Sequence, residues 1–222
     1  MRINKYLALN LNISRREADK LIKNNQIKIN GVNTKLGQIV QRYDVVTYKN
    51  HKINPIKNHK YYKFYKPINY ISSRTSQGNS KTIYDLIKNK NLKYSGRLDK
   101  NSEGLMLLST DGNWLNDNAH PSKEIDKKYI VTTDIKDIDL KKFKKSIIDN
   151  KEKLNIYSIN KKSNNEYLVI LKTGKNREIR RIFEYNNIKI TNLKRISIGK
   201  HSLGNMKIGE LEEIIIWKVL LP

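Results

Sequence analysis

Cysteine is absent from the 222 residues, so neither a disulfide framework nor thiolate chemistry is available. Histidine is scarce: His51, His59, His120 and His201 are scattered without metal-ligand spacing, and no metal is expected. Long apolar runs are missing too. A run such as Ile214 to Trp217 falls far short of the roughly 20 residues a membrane helix needs. No signal-peptide pattern opens the chain, so a soluble, cytoplasmic protein with no membrane partner is expected. Acidic residues are few: 21 Asp+Glu stand against 45 Lys+Arg, a net charge of +24 and a pI near 10.0. Such a field favours polyanions, and phosphate backbones dominate the affinity of proteins charged this way.

Arginine is scarce among those cations. The chain is crowded with Lys, Asn and Ile, the mark of A+T-rich codons, and part of the +24 is attributable to that drift. Of the 45 cations, 35 are Lys and only 10 are Arg. Where arginine is disfavoured, each one retained hints that a lysine would not serve, because only arginine offers a planar bidentate fork. Five of the ten, Arg97, Arg177, Arg180, Arg181 and Arg195, fall in two stretches.

What is present suits one ordinary domain plus a small one, and 37% hydrophobic residues are enough for a core. Residues 1–50 read as a small module with 51–59 as a polar linker and 60–222 as the larger domain. In the module, Ile3, Tyr6 and Leu7 have helical spacing. Ser14-Arg15-Arg16-Glu17 is a capping-box pattern. The helix it starts buries Ala18, Leu21 and Ile22 and puts Arg16, Lys20 and Lys23 on one face. Ile27-Lys28-Ile29 alternates, Asn30-Gly31 signals a tight turn, and Val45-Val46 suggests a closing strand. A basic helix face by itself reads as a solvated surface. Yet residues 1–58 hold 12 Lys+Arg against 3 Asp+Glu, a net of +9.

Beyond residue 59, Tyr61–Tyr65, Gly104–Ser109, Lys128–Thr133, Tyr167–Leu171 and Ile188–Leu193 have strand patterns. Asp111–Asn118, Asp137–Ile147 and Asn176–Tyr185 have helical ones. The regular rhythm of a doubly wound sheet is missing. The expected class is therefore α+β: a small N-terminal α/β module, then a domain on a mixed, mainly antiparallel sheet with flanking helices.

The stretch from Ser95 to Gly112 is the most informative. Asp99 follows a strand-like run and precedes a polar turn that leads into Leu105–Leu108, a junction from which a carboxylate can project into a cleft. Taken alone, such an aspartate more often caps a turn. Likewise Tyr129 alone reads as cross-strand packing and Arg180 as one more phosphate contact.

Resemblance adds to these readings. The order helix, capped basic helix, short strand and Asn-Gly turn resembles the S-four-type RNA-binding domain over about 48 residues. That implies RNA contacts from Arg15, Arg16, Lys20 and Lys23. Gly96-Arg97-Leu98-Asp99 with Ser102, Gly104-Leu105 and Thr110-Asp111-Gly112 resembles the signature of pseudouridine synthases of the RsuA/RluA superfamily. Tyr62 to Pro67 resembles the lysine-proline strand that opens their catalytic domain. His120-Pro121 with Lys127-Lys128-Tyr129 resembles the motif whose tyrosine stacks on the target base. Gly174 to Arg181 resembles the motif whose arginine pairs with the nucleophile.

The resemblance implies that Asp99 is the nucleophile, Arg180 its partner and Tyr129 the stacking residue, with Arg97, Lys175, Arg177 and Arg181 on RNA. A cation within about 4–6 Å favours the charged form of a carboxylate. Lys175 stands where arginine is common, which removes the fork there; Ser102 stands where threonine is common and keeps the hydroxyl. Pseudouridylation needs no cofactor. The implied partner is ribosomal RNA or an assembling ribosomal subunit, acted on by a monomer. Asn69 to Gly78, Lys81 to Leu86 and Gly174 to Glu178 look closer to members acting on large-subunit RNA, with small-subunit RNA as the alternative. A non-catalytic RNA-binding or ribosome-assembly factor is the competing class. A glycosidase-like hydrolase would want two working carboxylates, of which only Asp99 is at hand.

Overall fold

A computed structural model describes residues 1–55, 58–119 and 121–215, with the side chains of Ala119 and Pro121 left aside. His120 of the His120-Pro121 pair, Ile56 and Lys57 of the expected linker, and the run that continues from residue 216 lie outside the described residues. The chain divides into two compact units, residues 1–59 with 110–112, and the rest of the described chain from Lys60.

In the smaller unit, α1 (Ile3–Asn10) and α2 (Arg15–Lys23) precede β1 (Ile27–Ile29), β2 (Val32–Asn33), β3 (Val46–Tyr48) and β4 (His51–Lys52). Ser14 Oγ accepts the Glu17 N–H at 3.1 Å and so starts α2 where the capping pattern placed it. Asn30 and Gly31 both take positive φ, the left-handed pair that a tight hairpin requires. Ile3, Leu7, Ala18, Ile22, Ile27, Ile29 and Val46 close a core. Arg15, Arg16, Lys20 and Lys23 remain exposed. The strands pair antiparallel in the order β2-β1-β3-β4. His51 and Lys52, read from sequence as linker, therefore extend this sheet. Lys49 and Asn50 turn the chain back at φ 48° and 65°.

In the larger unit the elements are β5 (Tyr61–Lys66), β6 (Lys93–Ser95), β7 (Glu103–Ser109), α3 (Gly112–Ala119), β8 (Lys127–Thr133), β9 (Ile147–Asp149) and β10 (Glu152–Leu154). After these come β11 (Ser158–Lys161), β12 (Glu166–Leu171), α4 (Glu178–Tyr185), β13 (Ile190–Ile198), β14 (His201–Ser202) and β15 (Leu211–Glu213). The main sheet runs β11-β12-β8-β13-β7-β5-β15, with β14 on β13 and β6 on β7. Among the described residues its one parallel pairing joins β13 to β7; the other strand pairs are antiparallel. The α+β class with a mixed, mainly antiparallel sheet is thus what the chain adopts. The unbroken apolar run in β7 has a simple cause. Met106 and Leu108 join one core with Phe64, Val131, Tyr167 and Phe183, while Leu105 and Leu107 join another with Leu115, Ile198 and Leu203. A strand covered on both faces reads as continuous rather than alternating.

One expected element is corrected. Residues 137–147 do not form a helix. Asp137 is left-handed at φ 51°, a single 3-10 turn spans Leu140–Phe143, and the chain then enters β9. Phe143 is the one side chain of that turn buried in the core. The lysines around it are exposed, so they supply no apolar stripe that would hold a helix down. Asn150 and Lys151, both left-handed, instead close β9 and β10 into a hairpin. The strand expected over 188–193 reaches Ile198, because Arg195 is interior rather than a terminator. Among the described residues no helix is long and apolar enough to cross a membrane.

Candidate active site

Asp99 sits between β6 and β7 on a turn closed by the Ser102 N–H donating to Asp99 O at 3.1 Å. Two buried cations build that turn. Lys66 ends β5 at 0% exposure and donates from Nζ to Pro67 O (2.9 Å), Asp99 O (3.0 Å) and Ser102 O (2.7 Å). Arg195, 2% exposed, donates from Nε to Leu105 O at 2.7 Å and from a terminal nitrogen to Gly96 O at 2.6 Å. Both ends of the segment are thereby held to the sheet. Gly104 makes the arrangement possible. It has φ +115°, and a Cβ there would lie 2.2 Å from Arg195 O, so no side chain fits where β7 meets β13. Ser72 adds a third tie, donating to Leu98 O at 2.8 Å and accepting the Leu98 N–H at 3.1 Å.

Arg180 and Arg177 meet Asp99 from the start of α4. Arg180 Nε and Arg177 Nη1 each lie 3.8 Å from Asp99 Oδ2, ion-pair distance without a hydrogen bond. The Arg180 side chain is 14% exposed and Arg177 50%. Arg180 also donates to Asn101 O at 2.7 Å and to Ser102 Oγ at 3.0 Å, so the hydroxyl retained at position 102 orients the arginine. Burial pulls the Arg180 pKa below its ordinary value; Asp99 opposes that and Arg177 adds to it. The backbone before α4 aims this pair. Arg177 takes left-handed φ 49° just before the helix, and Glu178 accepts the Lys175 N–H (3.1 Å) and the Thr173 hydroxyl (2.7 Å). A carboxylate at a helix N-terminus is also favoured by the helix dipole.

These elements surround a cleft of about 360 Å³ lined by Asp99, Tyr129, Arg180, Arg97, Lys175 and Arg177, among others. Tyr129, on β8, is largely buried. Burial pulls the Lys66 pKa down to about 8, against the opposing field of Asp99; it also lowers Lys127, which lines the cleft. Not every expected residue points here. Arg181 turns to the β9–β10 hairpin, where it pairs with Asp149 and with Glu152 Oε2 at 2.6 Å, so its fork is already occupied. Lys175 lines the cleft but its ammonium donates to Lys153 O. Arg15, Arg16, Lys20 and Lys23 belong to the smaller unit.

Three residues were not singled out as site residues: Lys66, Arg195 and Glu178. Arg195 carried a signal, being an arginine kept in a lysine-rich chain. Lys66 carried a weaker one, a lysine closing an aromatic strand.

Comparison with known proteins decides the family. The model described as RNA pseudouridylate synthase matches residues 60–185, and the S4 domain model matches residues 1–46. The chain belongs to the RNA pseudouridylate synthase family. It is an RNA-modifying isomerase of that family. An uncharacterized RNA pseudouridine synthase of Borreliella burgdorferi is 34% identical over 93% of this chain and 86% of the relative. One from Aquifex aeolicus is 32% identical over 96% and 92%. The ribosomal large subunit pseudouridine synthase B of Bacillus subtilis is 31% identical over 90% and 86%. A crystal structure of a pseudouridylate synthase superposes with TM-score 0.69, covering 97% of this chain and 96% of that one at 24% identity, a likeness of fold.

Proposed function

We propose that this enzyme converts one uridine of ribosomal RNA, with large-subunit RNA favoured, to pseudouridine, and that Asp99 is its nucleophile. The observation that carries the reading is the Asp99 carboxylate, one-third exposed on a cleft of nucleoside size, with two guanidiniums 3.8 Å from one of its oxygens. In the reaction the N1–C1′ bond breaks, the base turns, a C5–C1′ bond forms, C5 gives up its proton and N1 takes one up, so that substrate and product are isomers. Asp99 attacks or deprotonates the sugar beside the scissile bond. Arg180 holds that carboxylate in place, and Tyr129 stacks on the detached base so that it is recaptured. The target must leave its helix, at a few kcal/mol, which phosphate contacts from Arg97 and Arg177 offset.

Residues 1–50 serve as the RNA-binding module through Arg15, Arg16, Lys20 and Lys23, and residues 60–222 carry the chemistry. The large-subunit preference is supported by the name of the Bacillus subtilis relative. A monomer in the cytoplasm, acting on ribosomal RNA or an assembling subunit, completes the reading.

The test is a carbodiimide-adduct primer-extension map of ribosomal RNA from cells lacking the gene, complemented with wild type or Asp99→Asn. One uridine is expected to lose its stop in the deletion and to regain it only with wild type. Restoration by Asp99→Asn removes the nucleophile assignment. Unchanged stops throughout remove ribosomal RNA as substrate and point the isomerase to another RNA.

A further inference from the structure

A second groove on the larger unit shares no lining residue with the cleft. Its walls are Leu140, Lys141, Phe143, Lys144 and the segment from Ile156 to Ile159. Phe143 and Ile156 are buried and form an apolar floor, while Lys141 and Lys144 are exposed at the rim. Tyr157 is 59% exposed, a large ring left open to solvent at the edge of that floor. The Lys172 ammonium lies 4.1 Å from its centroid, which holds the ring in place by a cation–π contact on one side.

Among the described residues no carboxylate lines the groove. Of the acids near it in sequence, Asp137 pairs with Lys161 and Asp149 and Glu152 pair with Arg181, while Asp139 accepts the Lys141 N–H at 2.9 Å. The groove also adjoins the cleft along the chain. The Tyr157 N–H donates to Ile170 O at 3.0 Å, at the end of β12. Lys172 stands between Leu171 and Thr173, both of which line the cleft.

An exposed ring, an apolar floor, two lysines on the groove wall and a third against the ring match a base with its flanking phosphates. Stacking of a base on an aromatic side chain is tolerant of sequence, and lysines track the backbone. We propose that this groove holds an unpaired nucleotide of the RNA substrate, flanking the target, with its base on Tyr157 and its phosphates at Lys141, Lys144 and Lys172. The proposal rests on the reading of the chain as a uridine isomerase acting on ribosomal RNA.

The test uses the full chain and a large-subunit ribosomal RNA transcript carrying tritium at uridine C5, whose release counts turnovers. Tyr157→Ala is expected to raise KM by about 5- to 150-fold, the range that alanine substitution of a stacking residue gives. Its kcat should stay within about twofold of wild type, and Tyr157→Phe should match wild type in both. A Tyr157→Ala KM within about twofold of wild type, or a loss confined to kcat, overturns the proposal. Photo-cross-linking to a 4-thiouridine transcript reads the groove independently of turnover. The expected adduct is on the tryptic peptide 154–161, and adducts only elsewhere overturn the proposal. Were wild type to release no tritium while the adduct formed, the substrate reading would fall and the groove would stand.

Discussion

The cleft of the larger unit and the capped helix α2 of the smaller one use the same kind of residue in opposite ways. Around Asp99 the important cations are buried and committed. Lys66 and Arg195 direct their N–H groups to backbone carbonyls, and Arg180 faces a carboxylate. On α2, Arg15, Arg16, Lys20 and Lys23 stand in solvent. Burying a cation is unfavourable unless it is paired and hydrogen-bonded, so a buried one reports architecture. An exposed one keeps its full charge for a polyanion with little effect on the fold. Net charge alone therefore says little about which cations meet RNA.

The sharpest break between the regions is expected at Asp99 itself. Asp99→Asn should lower tritium release on the order of 10⁴-fold or more, as removal of a nucleophile does in other enzymes. RNA affinity, measured by filter binding, should change little. A variant that keeps a tenth of wild-type turnover would show that Asp99 is not the nucleophile.

Lys66→Met tests the claim that buried cations are architectural. Methionine is of similar length, so the packing is kept while three carbonyl oxygens lose their donor. Leaving buried acceptors unpaired costs about 1–3 kcal/mol each, partly offset by removal of a buried charge. A net loss of about 2–4 kcal/mol should lower Tm by roughly 5–15 °C. Turnover should fall about 100-fold even at temperatures where the variant is fully folded, because a shift of about 1 Å at a reacting group has that effect. Full turnover with an unchanged Tm would leave Lys66 without the role given to it.

Much of this was legible in the sequence, for reasons that can be named. Local signals are short and strong: Ser14 before Arg15-Arg16-Glu17, Asn30-Gly31 in the hairpin, and Leu105–Leu108 in a covered strand. The segments around Asp99, Tyr129 and Arg180 stood out as motifs, and the fold brings all three to one cleft. What was illegible depends on partners distant in sequence. Arg195 prolongs a strand because its guanidinium finds Leu105 O and Gly96 O, 90 and 99 residues away. No short window along the chain contains those acceptors. Arg181 shares a helix with Arg180, yet its neighbours are Asp149 and Glu152 on a hairpin that the helix expected over 137–147 had hidden. That error has one cause: lysine favours helices, but exposed lysines around one buried Phe143 cannot dock one.

Replacing Arg15, Arg16, Lys20 and Lys23 together by Gln tests the other side of the comparison. All four are exposed, so Tm should stay within about 2 °C of wild type. KM should rise about tenfold at moderate salt, with kcat unchanged. The slope of log KM against log salt should fall by roughly 0.7–0.9 for each phosphate that the variant no longer neutralises. An unchanged slope would mean that this face is a solvated surface after all.

The smallest effect, a few-fold, concerns pH and separates activity from stability. The Lys66 pKa is about 8 in the folded chain against an ordinary 10.5. Burial lowers it most, and Arg195 adds to that, while Asp99 and Glu103 oppose it. Between those two values the unfolded chain binds more protons than the folded one, so the free energy of unfolding should rise with pH. Below about pH 8 the fold bears the penalty of the buried charge in full; that penalty is relieved as pH climbs from there. Activity should move the other way. A neutral amine has two N–H groups for three carbonyls, so one tie on the Asp99 turn is released as pH passes about 8. Tritium release should therefore decline a few-fold between pH 7 and 9 while resistance to urea rises. Lys127 faces the same cleft with its own lowered pKa, and Lys66→Met distinguishes the two. If the decline persists in that variant, Lys127 or the RNA is its source. If it vanishes, the buried lysine sets the alkaline limit of the reaction through the backbone it holds.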